Sequence, residues 1–191
     1  MMTKNRRANL ISHLLCVVTI VTAAGVGTAA AQSSEPKTVM DLFLLVPDRY
    51  MDGVYDRQSR QEMVRNGWLD IVDVKNGYIF YDASDNPSGF EFAIFKRSNG
   101  NYLVAYSTGA FHDLEWSKES GNWPTLLLLS YEGGRWREVT REILPVAFNK
   151  KLVYMLPRRG RNIEVSDGRG RKLYTLTWAN DRFRIKRAAR R

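Results

Sequence analysis

Gly89–Ser107 reads GFEFAIFKRSNGNYLVAYS. Two apolar runs flank Asn99-Gly100, a dipeptide that accepts two consecutive positive-φ positions, as a two-residue type I′ hairpin turn requires. That turn sets Phe95 opposite Val104 and Ala93 opposite Tyr106 on one face. It sets Ile94 opposite Ala105 and Phe92 opposite Ser107 on the other. Both faces are largely apolar, so the hairpin is expected at the centre of the fold, with a β core on one side and the Val39–Val46 helix on the other. It reads as a stability element, not as a site.

The same device recurs along the chain. Asp70–Lys75 and Tyr78–Ala83 flank Asn76-Gly77. A two-residue turn there pairs Val74 with Ile79 and Val72 with Tyr81 on a face expected to be buried. It pairs Asp73 with Phe80 and Lys75 with Tyr78 on a partly wet one. Thr125–Glu132 and Arg135–Thr140 flank Gly133-Gly134, pairing Tyr131 with Trp136 and Glu132 with Arg135. Thr140–Leu144 is expected to make a single helical turn before Pro145. Leu152–Leu156, Ile163–Ser166 and Arg171–Trp178 read as further strands, the last two joined through Asp167-Gly168-Arg169-Gly170. The final hairpin turns at Asn180-Asp181, pairing Trp178 with Phe183 and Leu176 with Ile185 on an apolar face. Its other face carries Thr175 with Lys186, Thr177 with Arg184 and Ala179 with Arg182, and is basic.

Two short helices precede the strands. Thr38 reads as an N-cap with Asp41 three residues on. Val39, Leu42, Phe43 and Val46 follow at helical spacing before Pro47. A second helix starts near Asp56 or Ser59 and stops at Asn66-Gly67, with Arg57, Arg60 and Arg65 expected to face solvent. Helices followed by about nine antiparallel strands, with no βαβ alternation, make an α+β, mainly β fold. The expected architecture is a meander forming a barrel or a sandwich, with the helices packed on it.

The 191-residue chain is 44% hydrophobic, which suits one domain with a substantial core. Its start reads as a targeting segment. Lys4, Arg6 and Arg7 precede an apolar run over Leu10–Val21, and Ala29-Ala30-Ala31 is a small-residue cleavage signal. Residues 1–31 are therefore expected to be a signal peptide cleaved after Ala31. Arg6-Arg7 leaves the twin-arginine route open beside general secretion. Residues 32–37 follow as a flexible leader, 38–187 as one β-rich domain and 188–191 as a basic tail. The expected location is the periplasm or the extracellular space. Cys16, the single cysteine, leaves with the signal, so the mature chain has no disulfide or thiol chemistry.

Charge is unevenly placed. Residues 158–191 hold twelve basic and three acidic side chains, whereas residues 32–157 hold fourteen basic and seventeen acidic. Such asymmetry points to an acidic partner or surface.

Val46-Pro47-Asp48 and Trp178-Ala179-Asn180-Asp181-Arg182-Phe183 carry a resemblance over the whole expected mature chain. It resembles uncharacterised secreted bacterial families in which a short apolar helix ending in V/M-P-D precedes an antiparallel meander closed by a Trp-x-Asn/Asp-x-Phe hairpin. The resemblance implies export and architecture, and no activity.

Three candidate sites follow. His112, with Asp113 and Glu115, lies in the long aperiodic stretch Tyr106–Pro124 and is the one histidine expected to remain after cleavage. It is the catalytic candidate, as a metal ligand or as a base for Ser107. A metal centre needs three or four converging ligands and a triad needs a group orienting its base, so no metal is assigned. No Walker-type or Rossmann-type glycine motif is present, and no cofactor is expected. Phe111, Trp116 and Trp123 in the same stretch either tuck onto the β domain or form a recognition surface. Arg182, Arg184 and Lys186 form the basic face of the last hairpin, suited to phosphates or acidic polymers. Export argues against nucleic acid and for an anionic envelope polymer or another exported protein. The leading reading is an exported non-enzymatic binding module. The alternatives are a cell-envelope hydrolase using His112 with Asp113 or Glu115, and a small-molecule carrier barrel.

Overall fold

Thr38 opens the first helix by the expected capping box. Its hydroxyl accepts from the Asp41 N–H at 3.1 Å, and the Asp41 carboxylate accepts from the Thr38 N–H at 2.9 Å. The helix, α1 (Val39–Leu45), buries Val39, Leu42 and Phe43. After Pro47 the chain makes a 3₁₀ turn, Asp48–Tyr50. The second helix, α2 (Arg57–Asn66), is capped by Asp56, whose carboxylate accepts from the Ser59 N–H at 2.7 Å, and ends at left-handed Gly67. The computed structural model describes residues 36–51, 55–83, 89–108 and 125–187. The expected signal segment, the Phe111–Trp123 loop and the basic tail lie outside the described residues.

One helical residue overturns its expected placement. Arg57 and Arg65 face solvent, but Arg60 is fully buried. Its guanidinium donates to the backbone carbonyls of Val46 and Tyr55 and pairs with the Asp48 carboxylate at 3.2 Å. It also lies 5.9 Å from the centroid of the Phe43 ring. Chain ends around a short helix leave carbonyls without helical partners, and the planar guanidinium fork satisfies two of them at once. The Val46-Pro47-Asp48 element is thereby tied to α2.

Ten antiparallel strands follow among the described residues, in two sheets. The first holds β1 (Ile71–Asp73), β2 (Tyr78–Tyr81), β3 (Phe90–Lys96), β4 (Tyr102–Ser107), β5 (Leu126–Glu132) and β6 (Arg135–Glu138), in chain order. A helical turn, α3 (Thr140–Ile143), leads to the second. That sheet holds β7 (Leu152–Met155), β8 (Asn162–Asp167), β9 (Lys172–Ala179) and β10 (Arg182–Arg187), again in chain order. The strands do not close into a barrel.

The last hairpin has the expected register at every pair, from Arg182 opposite Ala179 to Lys186 opposite Thr175. Asn180 and Asp181 both take positive φ, 52° and 59°, so the turn has two residues. The Gly133-Gly134 hairpin also matches, with Tyr131 opposite Trp136 and Glu132 opposite Arg135.

The two Asn-Gly turns do not match. At each, glycine alone takes positive φ, 86° at Gly100 and 69° at Gly77. Asn99 uses its side-chain oxygen to accept from the Asn101 N–H at 3.1 Å, and the Arg97 N–H donates to the Asn101 carbonyl at 2.9 Å. The loop therefore has three residues, Ser98-Asn99-Gly100, and β4 shifts by one against the expected register. Phe95 faces Leu103, Ala93 faces Ala105, Phe92 faces Tyr106 and Glu91 faces Ser107. At Asn76-Gly77 the loop has four residues, held by the Asp73 carboxylate accepting from the Asn76 N–H at 3.1 Å. Val72 then pairs with Ile79, and Asp73 with Tyr78. Val72 and Val74 are exposed rather than buried. A Cβ at Gly77 would collide with Ile94 Cγ1, so both backbone and space demand glycine there.

The central hairpin is nonetheless where its apolar faces put it. β3 and β4 are the middle strands of the six-stranded sheet. On one side Phe90, Phe92, Val104, Tyr106 and Leu129 pack with Val39, Leu42, Phe43, Met51 and Met63. On the other, Ala93, Phe95, Leu103, Ala105 and Leu128 pack with Tyr154, Ile163, Val165, Leu176, Trp178 and Phe183 of the second sheet. The order of layers is thus helices, six-stranded sheet, four-stranded sheet.

Candidate functional site

β10 places the basic residues. Alternation along a strand sends successive side chains to opposite faces. Phe183 points into the shared core beside Phe95 and Trp178, with ring centroids 5.3 and 5.0 Å away. Arg182, Arg184 and Lys186 therefore share the opposite face, and all three are exposed. They repeat at about 7 Å along the strand. Their cross-strand neighbours are Ala179, Thr177 and Thr175 on β9, followed by Asn162 and Glu164 on β8. Arg184 and Lys186 thus each stand opposite a threonine, Thr177 and Thr175.

Three cations of the basic C-terminal region are held in ion pairs, while Arg159, Arg161 and Arg169, exposed in its turns, are in none among the described residues. Arg158 pairs with Asp73 at 3.3 Å, Arg171 with Asp167 at 3.0 Å and Lys172 with Glu164 at 2.7 Å. Arg182, Arg184, Lys186 and Arg187 make no ion pair with another described residue. The one acid on their hairpin, Asp181, is held elsewhere. Its carboxylate accepts from the Ser98 N–H at 2.9 Å and from the Ser98 hydroxyl. These bonds hold its carboxyl below the usual range. The Trp178 indole N–H donates to the Lys96 carbonyl at 3.4 Å. The turn carrying the basic face is therefore anchored to the turn of the central hairpin.

A second polar cluster was not legible in the sequence. Glu91, between Phe90 and Phe92, is 3% exposed and points between the sheets. One carboxylate oxygen accepts from the Tyr78 hydroxyl at 2.8 Å, the other from the Leu156 N–H at 2.9 Å. Its cross-strand partner Ser107 donates to the Tyr154 carbonyl at 2.7 Å. Burial pushes the Glu91 carboxyl up to about 7, against the lowering effect of its two hydrogen bonds. Burial and the adjacent Glu91 raise the Tyr78 hydroxyl as well. A carboxyl titrating near neutrality suits a general acid in principle. Here both oxygens are occupied and the group is sealed in the core, so it clasps the sheets together. The out-of-pattern acid inside FEF was the available signal.

Of the sequence-derived binding candidates, Arg182, Arg184 and Lys186 lie among the described residues. His112, Asp113, Glu115, Phe111, Trp116 and Trp123 lie outside the described residues. Ser107, the suggested nucleophile, is fully buried with its hydroxyl on a carbonyl. No cluster of three or more His, Cys, Asp or Glu side chains fit for a metal occurs among the described residues. An open groove of about 490 Å³ is lined by Arg141, Leu144, Pro145, Val146, Ala147 and Phe148, and it presents neither an acid nor a nucleophile. With no closed barrel, the lumen of a carrier has no counterpart among the described strands. No described helix is long and apolar enough to cross a membrane. Comparisons with known protein families, curated proteins and solved structures returned no match.

Proposed function

We propose that the chain is an exported, non-enzymatic binding module built on a two-sheet sandwich, and that the outer face of β10 recognises an anionic polymer of the cell envelope or an acidic exported protein. One observation carries this reading: Arg182, Arg184 and Lys186 stand in register on one exposed face without an ionic partner among the described residues. Of the neighbouring basic residues, Arg158, Arg171 and Lys172 are neutralised by Asp73, Asp167 and Glu164, and Arg159, Arg161 and Arg169 lie in turns rather than in register on the strand face. Like charges at strand spacing repel one another, and an anionic polymer relieves that repulsion while releasing counterions. The N-terminal signal pattern supports export and disfavours genomic nucleic acid as the target.

The test is retention of the protein on an immobilised anionic polysaccharide. Reversing Arg182, Arg184 and Lys186 to Glu should abolish retention while leaving the far-ultraviolet circular dichroism of the protein unchanged. All three side chains point away from the core, so the fold does not depend on them. Retention equal to that of the parent protein, and insensitive to salt, would remove the reading.

A further inference from the structure

Resting on that binding reading, we propose that the free edge of β10 accepts an extended acidic polypeptide segment as a fifth strand of the second sheet, with acidic side chains at alternate positions facing Arg184 and Lys186.

The backbone directions follow from the turn. Asn180 and Asp181 form a two-residue type I′ turn, so Ala179 and Arg182 close the first hydrogen-bonded pair. Hydrogen-bonded pairs then recur at Arg184 with Thr177 and Lys186 with Thr175. The residues between them, Phe183, Ile185 and Arg187, direct N–H and C=O away from β9. Trp178 agrees with this phase: its N–H donates to the Arg161 carbonyl at 2.8 Å, toward β8 and not toward its β10 partner Phe183.

β10 is the outer strand of its sheet, and no other described strand pairs with its far side. Phe183 is buried, so the accessible edge runs over Arg184–Arg187. It offers the paired backbone groups of Ile185 and Arg187. The opposite edge of the same sheet is treated differently. There the Tyr154 carbonyl and the Leu156 N–H, the outward groups at the β7 edge, are taken by Ser107 and Glu91. Among the described residues, one edge is closed by side chains from the other sheet and one is left open.

An added strand lies about 4.8 Å from β10. Its side chains opposite Arg184 and Lys186 come within about 5 Å, Cβ to Cβ, on the same face. Glutamate or aspartate at every second position meets both cations. The intervening positions lie beside Ile185, which is 39% exposed, and favour small or β-branched apolar residues. Backbone pairing supplies affinity and the cations supply sequence preference, as in strand-addition recognition generally. A basic edge also deters self-pairing of like-charged chains, so an acidic partner is selected over a second copy.

The experiment measures binding of a fluorescein-labelled octapeptide alternating glutamate and valine, by anisotropy, to the protein and to its Ile185→Pro variant. Proline at an edge position whose N–H points outward keeps the ladder with β9 and removes one donor to the incoming strand. The expected result is at least a tenfold loss of peptide binding, with retention on the anionic polysaccharide unchanged. Equal peptide binding by both proteins would overturn strand addition while leaving the charge-based reading intact. Failure of the parent protein to bind either probe would overturn both. Should the variant fail to fold, the parent protein decides with two peptides N-methylated at alternate amides, one along each edge. Methylation along one edge should abolish binding and along the other should spare it. Equal binding of the two would overturn the proposal.

Discussion

Glu91 on β3 lies directly opposite Ser107 on β4, and together their side chains hold the outer edge of β7. The Ser107 hydroxyl takes the Tyr154 carbonyl and the Glu91 carboxylate takes the Leu156 N–H. Two side chains of one sheet thereby stand in for a missing neighbour strand of the other. An edge left bare between two sheets would bury an unpaired carbonyl and N–H, each costing roughly 1–3 kcal/mol.

This clasp makes stability depend on pH. Burial raises the Glu91 carboxyl from 4.5 to about 7, so the folded chain holds that proton more tightly than the unfolded chain. The contribution of Glu91 is full below about pH 4.5, declines as the pH rises and levels off above about 7, a loss of roughly 3 kcal/mol. Glu91→Gln keeps the shape and cannot ionise. Urea unfolding of both proteins from pH 4.5 to 8 should show the variant gaining on the parent as the pH rises. A constant difference across that range contradicts the assignment.

Arg60 is the anchor of the helical layer. Arg60→Ala leaves the carbonyls of Val46 and Tyr55 without their donor and should cost on the order of 3 kcal/mol. Arg57→Ala, on the exposed side of the same helix, should change stability by less than about 0.5 kcal/mol. Chemical denaturation of the two variants separates the roles, and equal midpoints would refute the buried placement.

Asp181 joins the two hairpin turns through Ser98 and holds φ at 59°. Asp181→Ala loses the acceptor and places a poor residue in the left-handed region. Asp181→Asn keeps the conformation and one acceptor oxygen. Melting temperatures should therefore fall in the order parent, Asn, Ala. Amide exchange at Ser98 should quicken in the Ala variant, and unchanged protection there would dissociate the two turns.

Legibility followed the turns. At Asn180-Asp181 both residues adopt left-handed backbone and the polar and apolar positions alternate without a break, so the basic row could be read off the chain. At Asn99-Gly100 the Asn99 side chain bonds locally and leaves Gly100 alone with positive φ. One extra loop residue flips β4 relative to β3, and Glu91 opposite Ser107 became visible only in three dimensions. Arg60 escaped because a cation near Met63 on an otherwise polar helix reads as solvated. Nothing local announces that Val46 and Tyr55 will present carbonyls to it. The layer order was legible because both faces of β3 and β4 are apolar.

The most direct test of the basic face as the functional surface is the salt dependence of binding to a soluble anionic polysaccharide. For the parent protein, log affinity should fall linearly with log salt. Arg184→Gln should weaken binding and reduce that slope by about one. Arg171→Gln, whose cation is already paired with Asp167 at 3.0 Å, should leave the slope nearly unchanged. A parent slope near zero, or equal slopes for Arg184→Gln and the parent protein, would contradict the account.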